Sequence, residues 1–146
     1  CRILAWNRSQ RTVEGVEFVD LDALLAASDI VSLHTALTAE TQGMVGRSQL
    51  SQMKDGAILI NTARGALVDE AALSDELRTG RLRAGLDVYT EEPLPNTSAF
   101  RELPGCVLLP HVGSTTQRTR QAMFQLALAN LMAGVTDSEL PAAVRF

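Results

Sequence analysis

Five short apolar runs recur along the chain: Ile3 to Trp6, Ile30 to Leu33, Ala57 to Ile60, Ala84 to Val88 and Val107 to Leu109. Each is too short for a helix and rich in Ile, Val and Leu, which predicts buried strands. Helical signals fill the intervals. The clearest span, Asp69 to Thr79, has an acidic first turn, apolar Ala72, Leu73 and Leu77, Arg78 in the last turn and Gly80 just beyond. Further helices are predicted after Asp20, around Ser48 to Met53, and from Thr116 to Ala133 with Gly134 ending it. Met123, Leu126, Ala127 and Leu131 share one face of that last helix and are expected to be core. Strand and helix in alternation predict an α/β fold, a parallel sheet with crossover helices.

Composition narrows the class. With 146 residues, 46% hydrophobic and 21% charged, the chain has ordinary globular composition and enough length for one sizeable core. Thirteen basic and 17 acidic side chains leave a net charge of −4, and the arginines are dispersed. No basic stripe suits a nucleic-acid backbone or an anionic membrane. Cys1 and Cys106 form no CxxC pair and have no histidine at metal-ligand spacing, so neither a disulfide framework nor a metal site is expected, and a reducing cytoplasm fits best. No apolar run approaches the ~20 residues of a membrane span. The chain enters its first strand almost at once from Cys1, which reads as the start of a fragment, and Thr136 to Phe146 reads as a disordered end or a strap.

In open parallel sheets ligands gather beyond the carboxyl ends of the strands. Just past the predicted strands stand Asn7-Arg8-Ser9, His34-Thr35, Asn61-Thr62-Ala63-Arg64-Gly65, Asp87 with Glu92 five residues on, and His111-Val112-Gly113-Ser114. Among them an arginine, two acids and a histidine, Arg64, Asp87, Glu92 and His111, fall on one edge. Guanidinium binds carboxylates bidentately and histidine titrates near neutrality, so the set suggests a carboxylate-handling site with a histidine acid/base.

Asn61 to Glu70, Gly85 to Pro95 and Leu109 to Ser114 together closely resemble the D-isomer-specific 2-hydroxyacid dehydrogenases, and the resemblance extends over essentially the whole chain. It implies a parallel, doubly wound Rossmann-type sheet: a partial dinucleotide-binding domain over 1–114, then a C-terminal helix and tail over 115–146 returning toward a substrate domain. It implies hydride transfer between NAD(P)H and a 2-keto acid, or a D-2-hydroxy acid in reverse, in a full-length homodimer. His111 would be the acid/base, Glu92 its negatively charged partner favouring the imidazolium, and Arg64 the grip on the substrate carboxylate. Thr35, Thr62, Asp87, His111 and Gly113 match family positions around the nicotinamide half of the cofactor, and Ala63, Arg64 and Ser114 are further implied cofactor contacts.

Departures from the family pattern matter as much. The ten glycines form no G-x-G-x-x-G, so the first strand and glycine loop of a dinucleotide fold are expected to be absent, and this stretch alone is expected to be inactive. Asn7 stands where NAD-specific members place an acid for the ribose, and Arg8, Ser9 and Arg11 follow it. Arginine attracts a 2′-phosphate that an acid would repel, which favours NADP over NAD. Structural readings compete at several of these positions: a solvated loop for Arg8 and Arg11, a turn for Asp87, a strand-end role for His34. A dinucleotide-binding corepressor with the same fold is the alternative function.

Overall fold

The computed structural model describes residues 1–9 and 11–143, so the last residues of the expected tail lie outside the described residues. The chain divides into two compact units, Cys1–His111 and Val112–Phe146. In the first unit β1 (Ile3–Ala5) and β2 (Val16–Phe18) pair in parallel. A separate parallel sheet takes β3 (Ile30–Leu33), β4 (Ile58–Asn61), β5 (Arg83–Leu86) and β6 (Cys106–Leu108) in chain order. Five of the six strands coincide with the apolar runs to within two residues at their ends. β2 does not: Val-Glu-Phe is too short to stand out as a run.

In the 3-2-1-4-5-6 order of a doubly wound sheet, β2 and β1 take the first two places and β3 takes the fourth. Among the described residues no strand pairs with both sheets. A cavity of about 580 Å³ is lined by β1 and β3 residues, among them Leu4, Val31 and Leu33.

Helices α1 (Leu21–Ala27), α2 (Arg47–Gln52) and α3 (Glu70–Arg78) pack in series, α1 on α2 and α2 on α3. Sequential parallel strands with right-handed crossovers put their helices on the same face. The strands therefore bury alternate residues, Val31, Leu33, Leu59, Ala84 and Leu86, on one face. Ile30 and Val107, on the other face, are more than 60% exposed. Helix α3 starts where its sequence says: the Asp69 carboxylate accepts a hydrogen bond from the Ala72 N–H at 3.0 Å and so satisfies one of the donors that a helix start leaves free.

The second unit contains α4 (Gln117–Val135), capped by the Thr116 hydroxyl, which accepts from the Thr119 N–H. Two expectations are corrected here. Gly134 lies inside the helix, and the turn that ends it comes at Thr136, whose hydroxyl donates to the Met132 carbonyl, followed by Asp137 at φ 54°. Met123, Leu126, Ala127 and Leu131 are not core: Met123, Leu126 and Leu131 are 48–62% exposed, and Ala127, Phe124 and Met132 are exposed too. A lone helix has no facing layer of its own in which to bury such a stripe.

Burial pushes the thiol of Cys106, on β6, up to about 11. At pH 8 only about one molecule in a thousand then carries the reactive thiolate. Iodoacetamide at pH 8 should label Cys106 slowly in the native protein and at the rate of an ordinary thiol after denaturation, followed by peptide mass spectrometry; rapid native labelling would contradict this packing of β6.

Candidate active site

One row of the sheet organises the polar residues. Leu33 pairs with Asn61, Asn61 with Leu86, and Leu86 with Leu108, so β3 to β6 end level with one another. Thr35, Arg64, Asp87 and His111 each follow their strand's member of that row within three residues.

At the end of β4 the buried side chain of Asn61 acts as a bracket for the turn that follows. Its Nδ2 donates to the Arg64 carbonyl at 2.9 Å and its Oδ1 accepts from the Ala63 N–H at 3.1 Å. Arg64 is thereby held at the tip with its side chain exposed, Nη1 donating to the Ala63 carbonyl at 2.6 Å. Gly65 then opens a 3₁₀ turn, Gly65–Leu67, pressed against the loop after β5. A Cβ on Gly65 would lie 1.9 Å from the Tyr89 carbonyl carbon and 2.3 Å from the Thr90 nitrogen. Only glycine allows these two loops to touch through their backbones.

The loop after β5 carries Tyr89, Glu92 and a cis Glu92–Pro93 bond. Tyr89 is buried, its hydroxyl 3.1 Å from the Leu86 carbonyl and 2.9 Å from that of Leu109, which ties the ends of β5 and β6 together. His111, at the end of the segment after β6, has φ 55°, the left-handed region that L-residues enter at a cost of about 1 kcal/mol. Strained residues of this kind cluster at functional sites. Its Nδ1 lies 2.7 Å from Glu92 Oε2, while Glu92 Oε1 accepts from the Tyr89 N–H at 3.0 Å.

The hydrogen bond from His111 holds the Glu92 carboxyl below the usual carboxylate range, helped by the Tyr89 N–H and, more weakly, by the charge of Arg64. Because the folded value is depressed, the contribution of this pairing to stability is present above the ordinary carboxylate range and is lost as pH falls through the lowered value. Glu92 is thus anionic at neutral pH. A carboxylate on Nδ1 fixes that nitrogen as the ring's donor and leaves Nε2 for proton exchange. His111 and Glu92 also line a cavity of about 250 Å³ with Tyr89, Leu94, Arg101 and Leu109.

The remaining predicted residues divide between this edge and the groove. Asn7, Arg8 and Thr35 line the 580 Å³ cavity together with Arg11 and His34. Asn7 Nδ2 donates to the Ser9 carbonyl at 3.1 Å and lies 3.0 Å from the Ser9 hydroxyl, closing that turn on itself. Arg8 pairs with Glu40 at 2.8 Å, a partner that nothing in the sequence pattern marks. His34 Nε2 lies 2.9 Å from the Ser32 hydroxyl, in line with a strand-end role. Thr62 is exposed, Ala63 half-buried and Asp87 buried at 2% exposure, its N–H donating to the Asn61 carbonyl. Gly113 and Ser114 belong to the second unit. Among the described residues no cluster of His, Cys, Asp or Glu could hold a metal ion, and no helix is long and apolar enough to cross a membrane.

Residues 1–113 match the family described as D-isomer specific 2-hydroxyacid dehydrogenase, NAD binding domain. The chain is 51% identical over 118 residues to glyoxylate/hydroxypyruvate reductase B of Pectobacterium atrosepticum, covering 80% of this chain and 37% of that protein. It is 49% identical over 128 residues to glyoxylate reductase of Thermococcus litoralis, covering 87% and 38%. A crystal structure of a Thermus thermophilus protein superposes with TM-score 0.94 at 45% identity, over 99% of this chain and 46% of that one. The chain therefore spans less than half the length of each of these three proteins.

Gly65→Ala tests the backbone contact at the centre of the site. The added methyl must displace the Tyr89–Thr90 peptide, and overpacking of this kind should lower stability by about 1–3 kcal/mol. A thermal melt should show a clear drop in midpoint, whereas an unchanged midpoint would mean that the loops are not in contact.

Proposed function

Because the chain belongs to the D-isomer specific 2-hydroxyacid dehydrogenases through its match to that family's NAD binding domain, we propose that the whole protein reduces a small 2-keto acid of the glyoxylate or hydroxypyruvate type with a nicotinamide cofactor. The reverse reaction oxidises the D-2-hydroxy acid. One observation carries this reading: His111 and Glu92, 19 residues apart in sequence, form a 2.7 Å pair at the strand-end edge that also bears Arg64. The corepressor alternative has no observation in its favour.

Each residue in this reading has a physical task. The Arg64 guanidinium binds the substrate carboxylate and draws the keto oxygen toward positive charge. His111 gives a proton from Nε2 to the keto oxygen as the carbonyl carbon is reduced, and takes it back from the hydroxyl in oxidation. Glu92 holds the ring through Nδ1 and stabilises the imidazolium that donates. The bound nicotinamide supplies or accepts the hydride at carbon. The strand-end rim of the groove, with Asn7, Arg8, His34 and Thr35, carries the polar groups that such a cofactor would meet.

Arg8 and Arg11 on the groove, with Asn7 in place of an acid, support a preference for NADPH over NADH. Either guanidinium adds charge-assisted hydrogen bonds to a 2′-phosphate.

The reaction itself is tested by assaying the whole protein with glyoxylate and hydroxypyruvate. His111→Ala should lower kcat by about 10²–10⁴ and leave cofactor affinity nearly unchanged. Retention of wild-type kcat would remove His111 from the mechanism. Reduction needs the imidazolium, so its rate falls as pH rises and the ring loses its proton. Glu92→Gln removes the charge held on Nδ1 and should move the alkaline limb to lower pH. Replacing both Arg8 and Arg11 by Ala should weaken NADPH about ten- to a hundredfold and leave NADH unaffected. If the wild type uses NADH as well as NADPH, the cofactor preference is wrong.

A further inference from the structure

The loop that carries Glu92 is anchored by a second acid. Two consecutive N–H groups of that loop end on two different glutamates. The Tyr89 N–H donates to Glu92 at 3.0 Å, and the Thr90 N–H donates to Glu70 Oε1 at 2.7 Å. Glu70 is the first residue of α3, six positions after Arg64, and is half-buried. The same Tyr89–Thr90 peptide is the one that rests on Gly65. The peptide is therefore gripped twice from the β4–α3 connection: by close approach at Gly65 and by a short hydrogen bond to a carboxylate at Glu70. A charge-assisted bond of this length has a sharp geometric optimum. It fixes the orientation of the peptide plane and with it the direction of the neighbouring Tyr89 N–H, which Glu92 accepts.

We propose that Glu70 is a positioning residue: by holding the Thr90 N–H it sets the reach of Glu92 to His111 and locks both to the segment that bears Arg64. Glu70 touches none of the three proposed reacting groups and acts through the backbone between them. The kinetic part of this proposal rests on the function proposed above; the geometric part does not.

The test uses the whole protein with Glu70→Ala, Glu70→Asp and Glu70→Gln, beside Glu92→Gln. Two readouts are needed. One is the titration of the His111 ring followed by nitrogen-detected NMR, which requires no turnover. The other is the pH profile of glyoxylate reduction with kcat and KM separated. Glu70→Ala should move the ring titration and the alkaline limb to lower pH, in the direction of Glu92→Gln, and lower kcat about tenfold while the cofactor KM stays within about twofold. Glu70→Asp keeps the charge but lacks the reach and should behave like Glu70→Ala, which carries the test if the alanine variant does not fold. Glu70→Gln keeps the accepting oxygen and should restore wild-type behaviour. Glu70→Ala combined with Glu92→Gln should shift the ring no further than Glu92→Gln alone, because both changes act on one contact.

A wild-type ring titration in both Glu70→Ala and Glu70→Asp, failure of Glu70→Gln to rescue, or full additivity in the double variant would overturn the proposal. If the ring titration moves as expected while the wild type reduces no 2-keto acid, the positioning role stands and the proposed reaction falls.

Discussion

Parallel pairing with level strand ends is the constraint on which the rest of this structure depends. When β3, β4, β5 and β6 all run one way and finish at the row Leu33, Asn61, Leu86 and Leu108, the residues that leave them must emerge side by side. An antiparallel sheet would send alternate loops to opposite edges. The polar residues at positions 34–35, 61–64, 87–92 and 111 are brought together by this backbone geometry before any side chain makes a contact. Asn61 shows how the constraint is put to use: its backbone belongs to the sheet and its side chain to the turn that holds Arg64.

Backbone contacts between loops then convert proximity into a fixed arrangement. Gly65 has no side chain to keep the Tyr89–Thr90 peptide away, and the Tyr89 hydroxyl ties the ends of β5 and β6. His111 is held in a left-handed conformation at the far end of this series. The His111–Glu92 pair is itself partly exposed, with 47% and 36% of the two side chains reached by solvent, and surface pairs contribute little to stability. Its position is therefore set by the loops that carry the two residues more than by their mutual attraction.

Much of this was legible in the sequence, for unequal reasons. Ile30 to Leu33 reads as a strand because an uninterrupted apolar run has few other uses, and the structure has the same boundaries. Asp69 announces α3 because a carboxylate ahead of an apolar repeat is what a helix start requires. The contact between His111 and Glu92 rests on motif resemblance, since no periodicity relates residues 19 positions apart. Three features left no trace. β2 is only three residues long, with a charged residue in its middle. Arg8 finds Glu40 across 32 positions. Glu70 reads as an ordinary acid in a helix's first turn, because its partner is a main-chain N–H and main-chain groups have no sequence signature. The apolar residues of α4 misled in the opposite sense: their spacing describes a helix well but does not say what it packs against.

The chain order of the larger sheet has a consequence for how it forms. β3, β4, β5 and β6 stand in space in the order in which they are synthesised, each pairing with its neighbours in sequence. Every new strand closes a loop of limited length onto an edge that already exists, which keeps loop-closure entropy small at each step. A ribosome delivering this segment from its N-terminal side would present the strands in assembly order, so that the sheet can grow by accretion while the chain is still emerging.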